Sequence, residues 1–239
     1  MTPQQAQRRA LVTGSNGGIG AAIVGRLRRD GYSVLTLDVR PPADLVVDLV
    51  MEDIPREALA EIDVCVSNAG IVDILSPAHR MSAEKWDRDL AINLTASFRV
   101  IQACLIGMRE RNYGRIIAMS SLAAAIGGPG QVAYSASKAG LLGMTMAIAA
   151  ENAALGITVN AVLPGVIATE KVRSMPPEIL KRVHDRFLPT GRMGEVFEVA
   201  ALVAFLAAED AGYVTGQAIE VDGGSSLNSM SMGASSPRT

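Results

Sequence analysis

Short, β-branched apolar runs alternate with longer amphipathic or alanine-rich stretches along the whole chain. Runs at Ala10–Thr13, Ser33–Asp38, Leu45–Val47, Asp63–Ser67, Arg115–Ser120, Thr158–Leu163 and Gln217–Val221 predict seven strands. The stretches Gly18–Asp30, Arg56–Glu61, Ala83–Arg111, Val132–Leu155, Pro177–Asp185 and Glu195–Ala208 predict helices between them. Strands that are apolar at successive positions, such as Val64–Val66, suit a parallel sheet covered on both faces. The alternation predicts right-handed βαβ crossovers and an α/β, doubly wound parallel sheet with helices on both faces. No linker or internal repeat divides residues 1–239, so one domain is expected. Two regions break the pattern. Thr169–Arg192 holds three prolines and several charges, and Ser225–Thr239 holds six serines and reads as an irregular tail.

Composition narrows the setting. The longest apolar stretch, Ala139–Ala150, is broken by two glycines and a threonine, short of the roughly 18 residues of a membrane span. Met1–Arg9 is polar and lacks the apolar core of a signal peptide. The net charge is −2 with no basic block, which argues against nucleic acid or an anionic membrane as partner. Cys65 and Cys104 make no disulfide framework, so two thiols in a reducing cytoplasm are expected. The two histidines, His79 and His184, are too few and too scattered for a zinc site or a Ser-His-Asp triad.

The clearest chemical signal lies between the first strand and first helix, in Thr13-Gly14-Ser15-Asn16-Gly17-Gly18-Ile19-Gly20. Glycines there allow a tight turn and let backbone N–H groups approach a pyrophosphate at the positive end of the helix. The missing Gly-Lys-Ser/Thr excludes a P-loop. The second strand ends at Asp38, 18 residues after Gly20. A carboxylate at that place accepts hydrogen bonds from an adenosine ribose and repels a 2′-phosphate. No Lys or Arg lies between Ser15 and Gly18, so NAD is expected before NADP, with Arg40 the one residue that softens the preference.

With these residues in view, the chain resembles the single-domain short-chain dehydrogenase/reductase family from Leu11 to Gly224. The resemblance implies a Rossmann-like seven-stranded sheet and a cofactor turn carrying Gly14, Asn16, Gly18, Ile19 and Gly20. Asp48 matches the family's adenine contact, and Asn68-Ala69-Gly70 its sheet-stabilising, cofactor-lining motif. Asn93, Ser121, Tyr134 and Lys138 match its catalytic tetrad. Asn160-x-x-x-Pro164-Gly165-Val166, followed by Thr169, resembles the loop that receives the nicotinamide carboxamide. Leu188–Gly194 and Val221–Gly224 are similar to the β-oxoacyl-carrier-protein reductase branch. Ser67 replaces that branch's usual asparagine, and its generally NADP-linked members carry a basic residue absent from this glycine turn.

The matched residues suit hydride chemistry. Tyrosine, with a pKa near 10, is a poor base at neutrality. Lys138 lies four residues after Tyr134 on one helix face, and its ammonium is expected to lower the phenol's pKa. The same lysine would hold the nicotinamide ribose. Ser121, at a strand end, would donate to the substrate oxygen. By resemblance, Asn93 would hold a water linking Lys138 to solvent. Leu122–Gly130 and Ile71–Leu75 would border an apolar or uncharged substrate, and Met175, His184, Phe187 and Met193 fall where the family keeps its lid. Ala136, Gly140, Gly143 and Ala147 form a small-residue stripe, and a homotetramer is expected. The leading expectation is an NAD(H)-dependent secondary alcohol/ketone oxidoreductase acting on a small-molecule carbonyl or alcohol. The alternatives are a 3-oxoacyl-thioester reductase and a dinucleotide-binding regulator without turnover.

Overall fold

The computed structural model describes residues 7–72 and 75–227, apart from the Arg186 side chain. The expected tail is therefore described only as far as Leu227; its remainder lies outside the described residues. In chain order the elements are β1 (Arg9–Thr13), α1 (Gly18–Arg29), β2 (Ser33–Asp38), β3 (Leu45–Val46), α2 (Arg56–Leu59), β4 (Val64–Ser67), α3 (Ala83–Leu90) and α4 (Ala96–Arg111). They continue with β5 (Gly114–Met119), α5 (Ala123–Ile126), α6 (Val132–Asn152), β6 (Ile157–Pro164), α7 (Glu170–Arg173), α8 (Pro177–Phe187), α9 (Val196–Ala207) and β7 (Ala218–Val221).

All seven strands join one parallel sheet in the order β3-β2-β1-β4-β5-β6-β7. Alternate side chains go to opposite faces. Leu11, Cys65, Ile116 and Ile157 pack with α4 and α6, whereas Val12, Val64, Val66 and Ile117 pack with α1 and α9. Both faces are thus buried, which is why β4, β5 and β6 are apolar at successive positions.

The order reverses between β1 and β4, so their carboxyl ends flank a crevice where open α/β sheets bind ligands. Thr13 closes that junction. Its Oγ1 accepts from the N–H of Asn68 at 3.0 Å and of Ala69 at 2.9 Å. Asn68 Nδ2 in return donates to the carbonyls of Thr13 (2.9 Å) and Gly14 (3.1 Å).

The helices depart from the expected pattern at several places. The expected continuous helix Ala83–Arg111 contains a π-helical turn at Ala91–Thr95, centred on Asn93. Such turns widen the helix and are frequent at functional sites. By length and composition this helix also contains a window apolar enough to cross a membrane, at mean hydropathy 1.5. Its scattered charges hide that window from a search for unbroken apolar runs. Val100, Ile101, Ala103, Cys104 and Met108 of α4 are buried against the sheet, as in a core helix. The short helices α5 and α7 fall where loops were expected.

Candidate active site

The glycine turn is shaped by contacts that tolerate no side chain. Gly14 has φ of +63°, and a Cβ on it would lie 2.9 Å from Ala69 Cα. A Cβ on Gly20 would lie 2.1 Å from the Gly14 carbonyl oxygen. On Gly18 it would press on Thr169 Cγ2 at 3.3 Å, so the loop after β6 touches the turn directly. Helix α1 opens at Gly17 with no side-chain cap and no acidic residue in its first turn. Its N-terminal N–H groups and partial positive charge therefore face the crevice uncompensated by side chains. Asn16 is exposed, Ile19 half-buried, and the buried Ser15 hydroxyl has no partner among the described residues.

Asp38 sits beside this turn, 7% exposed. One carboxylate oxygen accepts from the N–H of Asn16 at 3.0 Å and the other from that of Arg40 at 3.1 Å. The residue thus ties β2 to the glycine turn, and its remaining lone pairs stay available to a ribose. Asp48 accepts from Val50 N–H (2.9 Å) and Met51 N–H (3.3 Å), capping the turn after β3. Pro164 ends β6, its carbonyl accepting from Leu122 N–H at 3.0 Å. Gly165 abuts Asp222, where a Cβ would stand 2.8 Å from that residue's Cα, and the Val166 carbonyl accepts from Gly194 N–H at 3.0 Å. Thr169 caps α7 through its side chain. These residues fit a dinucleotide: a cradle that Cβ atoms would fill, a bare helix N-terminus for the pyrophosphate, and a carboxylate at the ribose end.

On the other wall of the crevice, β5 and α6 bring Ser121, Tyr134 and Lys138 together. Ser120 fixes the register, its Oγ donating to the Lys138 carbonyl at 2.8 Å. Ser121, next along the chain, accepts from Ala123 N–H at 3.1 Å, which leaves its hydroxyl proton for another acceptor. It also shares a hydrogen bond with Tyr134. Lys138 is 4% exposed; its Nζ donates to the Met119 carbonyl at 2.8 Å and lies 5.9 Å from the Tyr134 ring centroid. The same ammonium covers Gly70, where a Cβ would meet it at 3.1 Å. The nearer obstacle there is Asn93 Oδ1 at 2.9 Å, so a glycine at 70 leaves room for the Asn93 amide as well as the ammonium.

The expected lowering of the Tyr134 pKa by Lys138 is not found. Burial pushes the phenol above its usual 10, a Ser121 hydrogen bond pulls it down, and Lys138 does not contribute. The ammonium instead faces a main-chain carbonyl, and burial lowers its own pKa to about 8. Asn93 is fully buried and clamps the loop after β4, accepting from Ile71 N–H at 2.7 Å and donating to Ile71 O at 3.0 Å. Its side-chain amide is therefore committed to bracing, and its main-chain carbonyl accepts from Ser97 Oγ at 3.2 Å.

A lowered lysine has a definite pH signature. Protonated Lys138 is disfavoured by folding, so its charge costs stability below about pH 8 and the cost fades as pH rises toward the unfolded value near 10.5. Carbonyl-reduction rates at saturating substrate are expected to fall as pH rises through about 8, with the loss of that ammonium. A pH–rate profile flat up to pH 10 would exclude an essential charge on Lys138.

The segment after β6 reaches across to the loop after β4. Lys171 of α7 donates to the Val72 carbonyl, joining that segment to the loop after β4. A cavity of about 450 Å³ lies under α8, lined by Leu180, His184 and Met193 among others, and none of the four tetrad residues lines it. It lies within the segment after β6, which also carries Met175 and Phe187. A second gap of about 10 Å³ does reach Tyr134, and its two charged neighbours among the described residues, Lys85 and Asp89, carry no signal in the sequence that would single them out.

A doubly wound sheet with a glycine cradle at its switch point and a Ser-Tyr-Lys cluster opposite defines a dinucleotide-type oxidoreductase. The chain belongs to the short-chain dehydrogenase/reductase family. A family model described as enoyl-(acyl carrier protein) reductase matches residues 46–226. The chain is 42% identical over 237 residues to acetoacetyl-CoA reductase of Rhizobium meliloti (strain 1021), covering 91% of this chain and 98% of that protein. It is 37% identical over 244 residues to 3-oxoacyl-acyl-carrier-protein reductase FabG of Escherichia coli (strain K12), covering 90% and 96%. Among solved structures it is similar to a putative 2-deoxy-D-gluconate 3-dehydrogenase of Agrobacterium tumefaciens with bound NADP. That match has a TM-score of 0.85 and 31% identity, covering 94% of this chain and 98% of that one.

Proposed function

We propose that this oxidoreductase interconverts a secondary alcohol and a ketone, with Tyr134 as the proton donor and acceptor and NAD(H) as the preferred cofactor. The bound dinucleotide supplies or takes the hydride. The observation that carries the reading is the meeting of Ser121, Tyr134 and Lys138 at the crevice beside the glycine cradle. Ser121, oriented by Ala123 N–H, hydrogen-bonds the substrate oxygen and stabilises the charge that develops on it. Tyr134 gives its proton to that oxygen. With its pKa held above 10, the phenol keeps this proton at neutral pH, which suits reduction better than oxidation. Lys138 holds a positive charge beneath the site and offers N–H donors to a ribose. Asn93 keeps the Ile71 loop, one wall of the site, in place. Asp48, Asn68, Ala69, Gly70, Pro164, Gly165, Val166 and Thr169 shape the remaining cofactor surface.

The NAD preference rests on Asp38, whose buried carboxylate would face a 2′-phosphate with like charge. The NADP in the Agrobacterium structure belongs to that protein, and Arg40 here is exposed beside the same turn. The test is Asp38→Ala, assayed with NADH and NADPH. The NADH:NADPH ratio of kcat/KM is expected to fall at least about tenfold, the factor that 1.4 kcal/mol of lost discrimination represents. An unchanged ratio refutes the assignment.

A second reading, a 3-oxoacyl-thioester reductase, is favoured by the acetoacetyl-CoA reductase likeness over nearly the full length of both chains. The two readings share the same chemistry and differ in what flanks the carbonyl. A homotetramer is proposed on the strength of exposed apolar side chains on two separate faces, Phe98, Ile106 and Met146 on one and Phe197 and Phe205 on the other. The small-residue stripe divides: Gly140 packs on Leu94 within the chain, while Gly143 and Ala147 are exposed. A cytoplasmic setting fits two free, buried thiols.

A further inference from the structure

Asp89, on α3 one helical turn before Asn93, is 3% exposed. One carboxylate oxygen pairs with Lys85 Nζ at 2.9 Å. The other, Oδ1, is buried with no hydrogen-bond partner among the described residues. A buried carboxylate oxygen without a donor is costly, and a protein that keeps one generally has a use for it. The gap of about 10 Å³ bounded by Asp89, Lys85, Tyr134, Leu75 and Gln131 has the room of one hydroxyl-sized group. It lies against Tyr134, on the side of the site walled by the loop after β4 and the start of α6. Among the described residues, the remaining neighbours, Val72, Met81 and Gly130, offer no side-chain hydrogen-bond donor.

We propose that the Lys85–Asp89 pair is a specificity subsite in which Asp89 accepts a hydrogen bond from an O–H or N–H donor on the substrate, close to the reacting carbonyl. The preferred substrates are then hydroxylated carbonyl compounds rather than purely alkyl ketones. Lys85 is the positioning residue: its ammonium holds one carboxylate oxygen at 2.9 Å and so fixes which oxygen is left over. This deepens the proposed function and rests on Tyr134 marking the reacting centre. A ligand hydroxyl meeting that oxygen removes an unmet acceptor, whereas an alkyl group there leaves it stranded, so discrimination by such a site is large.

The experiment compares kcat/KM for 4-hydroxy-2-butanone and 1-hydroxy-2-butanone with that for 2-butanone, in wild type and in Asp89→Leu. Wild type is expected to favour at least one hydroxyketone by tenfold or more, and Asp89→Leu to bring that ratio to within threefold of unity. Asp89→Asn, which keeps an acceptor oxygen, is expected to retain a ratio between the two. Should Asp89→Leu fail to fold with Lys85 left beside an apolar group, the double variant Lys85→Met/Asp89→Leu removes both charges at similar volume and is read in the same way. A hydroxyl-to-alkyl ratio that the substitution leaves unchanged, or a wild type that favours 2-butanone, overturns the subsite while leaving the acid–base reading intact. Turnover of 3-oxobutanoyl-CoA by wild type, measured in parallel, reports on that reading separately. Failure of wild type on every carbonyl offered overturns the proposed function, and the subsite with it.

Discussion

Tyr134→Phe is expected to lower kcat for carbonyl reduction by about 10²–10⁴-fold, the range a positioned general acid contributes. The substitution deletes one hydroxyl and leaves the ring. Packing of α6 against β6 should be unchanged, and so should the melting temperature within a degree or two. The Lys138 ammonium, anchored to the Met119 carbonyl at 2.8 Å, does not depend on the phenol for its place. Dinucleotide affinity, read by quenching of the fluorescence of Trp86 or by calorimetry, should therefore stay within about threefold of wild type. What disappears is the proton that the developing alkoxide needs and the partner of the Ser121 hydroxyl. A 10³-fold loss corresponds to about 4 kcal/mol of transition-state stabilisation. A variant turning over within tenfold of wild type would remove Tyr134 from the chemistry and leave Ser121 or a water as donor.

Much of this architecture is legible in local patterns, because those patterns report on one chain segment at a time. The strands announce themselves by β-branched apolar runs, and their ends fall within a residue or so of those expected. The glycines at 14, 18 and 20 read as a cradle, and the clashes a Cβ would make at 14 and 20 account for their spacing. What escapes a reading of the sequence depends on partners far along the chain. Thr13 looks like any strand-end threonine until Asn68 and Ala69, 55 and 56 positions away, bring their N–H groups to it. The Tyr134–Lys138 spacing predicts proximity but not direction, and the ammonium turns to Met119 on the neighbouring strand instead of to the phenol. Asn93 reads as an interior helix polar, and the π-turn that widens the helix around it has no periodicity signature. Asp89 and Lys85 have the i,i+4 spacing of an ordinary surface ion pair. Only their burial beside Tyr134 sets them apart, and burial is a property of the packed molecule. The short helices α5 and α7 escape the sequence because each has four residues and sits in a stretch that reads as loop, after a strand end in one case and among prolines and charges in the other.

Gly20→Ala tests the cradle itself, and a remote glycine supplies its control. A methyl at position 20 would stand 2.1 Å from the Gly14 carbonyl, about 1 Å closer than real Cβ contacts allow. The obstacle is backbone, so the turn carrying Gly14 and Asn16 must move. Overpacking of this kind costs about 1–3 kcal/mol of stability. Because the same backbone is what would meet the pyrophosphate, a shift of that size is also expected to weaken dinucleotide binding by about 100-fold. Gly107→Ala meets an equally hard neighbour, the Ala60 carbonyl at 1.8 Å, where α4 crosses the end of α2. Its cost falls on the interface of those helices, away from the crevice. Thermal melts should show both variants destabilised, while titration of the folded protein with NADH separates them: Gly107→Ala binds like wild type and Gly20→Ala does not. Equal affinity in the two variants would mean that the turn around Gly20 serves only to pack α1 on the sheet, and that the dinucleotide reading of the switch-point crevice is wrong.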